Sequence, residues 1–201
     1  MVMRFVVLTL FVLQTAIVIG QNTEPITVSS DNDSVYFTMN GERSSIANTD
    51  MAAYYLEDGL VAAHAGDFVS AENKFRVGLL YDPENEQLWY NLGLAQYYQG
   101  AYEDAIYSFD AAVEVDPSNP ENYNQRGLSK AMLGRYTDAE TDFLILFKYA
   151  PDHPMGNFNY GILKLQMGDQ ATACTYLHKA DSLGYENAPT VISTYCAMEG
   201  E

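Results

Sequence analysis

The chain is short of positive charge. Ten Lys and Arg stand against 27 Asp and Glu in 201 residues, a formal net charge of −17. No basic patch is available to neutralise phosphates, which argues against nucleic acid or anionic lipid as a partner and favours partners with basic flanks. Histidine is equally sparse, with three residues. His64 and His153 lie far apart without ligand partners at metal spacing, and His153 reads as loop surface, so no metal site and no other cofactor is expected. There is no CxxC pair, no Gly-rich phosphate loop and no defensible Ser–His–Asp order. Glu84 with Glu86, Glu103-Asp104, and Asp138 with Glu140 and Asp142 fall at helix starts and on exposed faces. There they suit the helix dipole and read as solvated surface rather than as a catalytic carboxylate pair.

What is present at the start is apolar. Residues 1–20 hold one cation, Arg4, then an apolar run from Phe5 to Leu13 that resumes to Ile19, with small residues Val18 and Gly20 before Gln21. This reads as a secretory signal peptide, making the mature protein secreted or periplasmic and free of the membrane. An uncleaved anchor is the alternative, although the stretch is near the lower limit for a span and no basic cluster follows it. No cysteine sits at the cleavage point, which argues against a lipid anchor. Residues 21–50 are rich in Ser, Asn, Asp and Thr. Pro25 to Val28 and Ser34 to Met39 could form short strands, but the segment reads as a flexible lead that orders only on docking. Asn32-Asp33-Ser34 forms a glycosylation sequon.

The rest repeats every 34 residues. Gly93 matches Gly59, Gly127 and Gly161; Gly100 matches Gly66, Gly134 and Gly168. Ala105 matches Ala71, Ala139 and Ala173, and Phe109 matches Phe75, Phe143 and Leu177. Such a period means stacked helix–turn–helix units rather than one irregular core. Within a unit, Trp89, Leu92 and Gly93 share one helical face, and Gly93 lets another helix approach closely. Gly100 stops that helix. A second helix from about Tyr102 carries Ala105, Phe109 and Ala112 on one face, and Asp116-Pro117 ends it.

These residues, with Pro117 recurring at Pro83 and Pro151, resemble the tetratricopeptide repeat. Four units in register cover 52–85, 86–119, 120–153 and 154–187. The outer two are degenerate, with Asp58 for Leu92 in the first and Tyr185 for the proline in the last. The resemblance implies an all-α, right-handed superhelical solenoid. First helices are placed near 52–65, 86–99, 120–133 and 154–167, and second helices near 68–81, 102–115, 136–149 and 170–183. Ala188, Val191, Ile192 and Tyr195 recur at helical spacing, so residues 188–201 supply a capping helix and tail.

Cys174 falls on the last second helix and Cys196 on the cap, and an even cysteine count in an exported chain points to a disulfide between them. Two buried thiols are the alternative. Cys174 lies four residues before His178, the spacing of a nucleophile and base, but no orienting third group accompanies them.

The resemblance also places first helices on the concave side. There Tyr90, Leu94, Tyr97 and Tyr98, then Leu128 and Met132, then Phe158 and Ile162 form an apolar and aromatic stripe, part packing and part candidate partner-binding groove. Some members of the family clamp a peptide's terminal carboxylate. Here Leu56, Leu60, Ala53, Asn91 and Gln125 hold the matching places and only Asn91 fits, while Arg126 and Lys130 lie out of register, so that mode is not expected. The reading is a non-enzymatic protein-interaction module. Its alternative is a self-associating subunit whose groove is filled by a second copy or by residues 21–50.

Overall fold

The computed structural model describes residues 27–39 and 42–196. The signal-peptide reading of residues 1–20 and the end of the C-terminal tail lie outside them.

Three strands come first, β1 (Thr27–Ser30), β2 (Ser34–Met39) and β3 (Glu42–Ala47), paired antiparallel in the order β1-β2-β3. Thr27 faces Thr38 and Ser34 faces Ala47. The flexible lead expected over 21–50 is thus corrected for residues 27–39 and 42–47. The reason is local. Asp31 Oδ1 accepts from the backbone N–H groups of Asp33 and Ser34 at 2.9 Å, and its other oxygen accepts from the Tyr36 hydroxyl at 2.6 Å. This fixes the β1–β2 turn, and the β-branched and aromatic residues of β2 suit a pleated strand. Asn48 then ties sheet to helix: its N–H donates to Asp33 O and its side chain to Asn32 O.

Nine helices follow among the described residues: α1 (Asn48–His64), α2 (Phe68–Tyr81), α3 (Glu86–Tyr98), α4 (Tyr102–Val115), α5 (Pro120–Met132), α6 (Tyr136–Tyr149), α7 (Pro154–Gln166), α8 (Gln170–Ser182) and α9 (Ala188–Tyr195). The array is the all-α solenoid expected. Only α1 departs clearly from its expected bounds, starting a turn early because Asn48 is anchored to the β1–β2 turn. At Gly100 the chain turns with φ +79°, a conformation open to glycine, and the equivalent glycines do the same. Gly93 serves close approach, since a Cβ there would lie 2.7 Å from the Phe109 ring. The first helices α3, α5 and α7 are capped by Asn85, Asn119 and His153 in turn.

Neighbouring first helices touch along the array, whereas neighbouring second helices approach less closely, so first helices line the inner side of the curve. The core runs between the layers, through Phe75, Leu88 and Leu92 in one cluster and Phe143, Leu146 and Leu163 in another. At the end, Cys174 and Cys196 are joined in a disulfide with Cα atoms 5.5 Å apart. That bond binds α9 to α8 and removes Cys174 as a nucleophile. Of α9, only Ala188 is buried.

Candidate interaction surfaces

The eight stripe residues all lie on first helices, but burial divides them. Tyr98 is 62% exposed and Met132 52%. Tyr98 stacks on Phe68 with ring centroids 4.9 Å apart, which presents a flat pair of rings. Tyr97, half-buried, meets Tyr98 edge-on and Tyr102 on its other side. Burial raises the Tyr97 phenol, with Tyr102 adding to the effect. Leu94 and Ile162 are half-buried, as are Leu128, which packs on the second core cluster, and Phe158, whose ring lies 4.6 Å from that of Tyr185. Tyr90 tilts against Phe109 at 5.9 Å and serves packing. Burial, then the nearby Glu121 carboxylate, push its phenol up to about 12.

Between α5 and α7 the inner row is polar. Asn159 Nδ2 donates to Asn124 Oδ1 at 3.0 Å, and Asn124 is fully buried. Asn91 Nδ2 is spent on its own helix, donating to Gln87 O at 2.7 Å.

Two readings of polar residues are corrected. His153 is not loop surface: Nδ1 accepts from Gly156 N–H at 2.9 Å, and Nε2 lies 2.6 Å from Glu121 Oε1. Accepting at Nδ1 leaves the ring proton on Nε2, facing the carboxylate. The sign was in the sequence, since His153 stands 34 residues after the cap Asn119. The carboxylates are not all solvated either. Asp142 is 1% exposed, with Arg126 at 2.6 Å and Lys130 at 2.7 Å, while Arg126 also reaches Asp110 at 2.7 Å. Both cations that could have met a peptide carboxylate are therefore committed. Glu140 accepts from Tyr160 and Lys164. The Lys164 hydrogen bond holds Glu140 below the usual carboxylate range, and the same bond raises Lys164 despite burial.

Asp142 and Arg126 occupy a pair of positions that recurs in each unit, one on the first helix and one on the second. In the first unit Asp58 pairs with Lys74 at 2.8 Å, which explains the aspartate there. In the fourth, Tyr160 meets Tyr176 edge-on at 4.6 Å. In the second, Leu92 and Ser108 are both short. Over them an open cleft of about 530 Å3 lies between α2 and α4, walled by Leu79, Leu80, Trp89 and Tyr107. Sequence reasoning missed it, because neither residue departs from an ordinary helical pattern.

Residues 87–119 match the family model of the tetratricopeptide repeat. No curated protein matches the chain. Among solved structures, the MamA protein is 22% identical with a TM-score of 0.64, covering 73% of this chain and 81% of MamA. YrrB, described as a TPR protein with an unusual peptide-binding site, is 22% identical with a TM-score of 0.62, over 71% of this chain and 74% of its own. The first TPR of Spaghetti (RPAP3), solved with the HSP90 peptide SRMEEVD, is 19% identical with a TM-score of 0.58, over 60% of this chain and 95% of its own. At these identities the likeness establishes the fold.

Proposed function

We propose that this tetratricopeptide-repeat chain is a non-enzymatic interaction module, secreted or periplasmic, whose inner face binds a segment of a partner protein. The fold is one used generally for protein–protein interaction, and similar structures bind peptides. The observation that carries the reading is Tyr98 together with Met132, large side chains left wet on the side lined by first helices, with the Tyr98 ring stacked on the half-buried Phe68 of α2. Tyrosine suits such a surface, because it offers a large ring and a hydroxyl at little rotamer loss. The excess of acid favours partners with basic flanks and faster association at low salt.

A photo-crosslinking phenylalanine derivative placed at Tyr98 or Met132 tests the reading. Adducts with a partner polypeptide should form in an extract of the native compartment, and none should form from Leu144, equally exposed on the second helix α6. Tyr98→Ala with Met132→Ala should weaken capture by roughly 2 kcal/mol and leave helicity intact. Adducts only between copies would favour the self-associating alternative, and none at all would remove the inner face from consideration.

A further inference from the structure

The cleft over Leu92 and Ser108 lies on the outer side, between two second helices, and is separate from the inner face. We propose that it is a second docking site, and that it receives a large apolar side chain from a basic-flanked segment of another protein.

The equivalent places along the array show what such a position requires. In the third unit Arg126 and Lys130 fill it, with Arg126 5.3 Å from the centroid of the Tyr123 ring and both cations on Asp142. In the fourth, Tyr160, Tyr176 and Phe147 fill it, with ring centroids 4.6 to 5.5 Å apart. In the second unit the chain supplies neither. Ser108 donates to Gln96 Oε1 at 2.6 Å, which satisfies the floor without occupying the space above it. The walls stay apolar and open: Leu80 is 55% exposed and Tyr107 68%, while Trp89 stands edge-on to Tyr107. Of the two kinds of filler seen in the same fold, these walls match the apolar one.

Charge selects the flanks. Arg76, the cation on the rim, is already paired with Glu72 at 2.7 Å. Asp104 faces the cleft from α4, while its exposed neighbour Glu103 is paired with Arg135 at 2.6 Å. With a net charge of −17, a second copy of this chain would bring like charge to an acidic rim, whereas a basic-flanked segment complements it.

The cleft contains its own reporter, because Trp89 is the single tryptophan of the chain. The probe is a short amidated peptide of lysine and leucine patterned as an amphipathic helix. Two controls accompany it: a lysine–serine peptide of equal charge, and a glutamate–leucine peptide. The lysine–leucine peptide should shift Trp89 emission saturably. Leu80→Ser with Tyr107→Ser, both exposed and neutral, should weaken that response by about tenfold or more. Tyr98→Ala on the inner face should leave it unchanged. The proposal is overturned if Trp89 does not respond to the lysine–leucine peptide, if the lysine–serine peptide works as well, or if the cleft variant, helical by circular dichroism, binds like the parent. Emission that changes with protein concentration alone would assign the cleft to a second copy and overturn it too.

Discussion

The second and third units put the same two positions face to face and fill them in opposite ways. In the third, Arg126 meets a buried Asp142. In the second, Leu92 stands beside Ser108 and the space above is left open. The 34-residue period thus fixes where a side chain is delivered, while its meaning depends on what is delivered opposite. The buried carboxylate is a demanding solution, since Asp142 has been taken out of water and depends on two half-buried cations to offset its charge. The short pair demands little, and leaves room for something else.

The sharpest way to break this comparison is to remove the anion. Asp142→Ala leaves Arg126 with Asp110 alone and takes the carboxylate from half-buried Lys130, and should destabilise by an amount toward the lower end of about 3–5 kcal/mol. The matching Ser108→Ala orphans only one amide oxygen and should cost about 1–2 kcal/mol. Urea titrations of the two variants decide it, and equal losses would mean the charges of the third unit are solvated after all. Replacing Arg126, Lys130 and Asp142 together by apolar residues of similar size should restore most of the loss.

A smaller effect is expected where units stack. A Cβ on Gly78 would lie 2.8 Å from Leu88 Cδ2, and one on Gly156 would lie 2.8 Å from Leu146 Cδ2. The two contacts are equivalent by the period, with large and small exchanged. Gly156→Ala gains about 1 kcal/mol of helix propensity but overpacks Leu146 by about 1–3 kcal/mol, so it should destabilise the parent. In a Leu146→Val background the same change should turn stabilising. A sign that does not change between the two melts would show that Leu146 relaxes freely.

The smallest effect is one of pH. Glu140 has its pKa lowered in the fold, by the Lys164 hydrogen bond first. A depressed carboxylate contributes stability above its unfolded value of about 4.5 that is lost as pH falls through the folded value. Acid should therefore loosen the junction of the third and fourth units below about pH 4.5. Glu140→Gln should flatten that part of the stability–pH curve, and an unchanged acid limb would assign it to other carboxylates.

Much of the fold was legible because it is periodic. Gly93 against Phe109 follows from spacing, whereas the pairing of Cys174 with Cys196 was one of two readings until the structure joined them. The inner stripe was half legible: spacing put Tyr90 and Tyr98 on the same side, but only packing decided that Tyr90 leans on Phe109 while Tyr98 stays wet. Other equivalences were hidden by chemistry. Trp89, Tyr123 and Asn157 look unrelated, yet each donates a hydrogen bond to the carbonyl of the proline six residues before it, at 2.8, 2.9 and 3.2 Å. An indole, a phenol and an amide share a donor and little else.

By itself, then, the sequence determined the repeat and the limits of the repeat helices after the first, because each depends on residues at fixed separation along one chain. It also determined the excess of acid. Only the tertiary structure decided which acids are buried and that one junction is left unfilled. The physical reason is common to both. Whether a polar group is solvated, or a space occupied, depends on the side chain that arrives from another helix, and the volume and charge of that side chain are free to vary while the period stays the same.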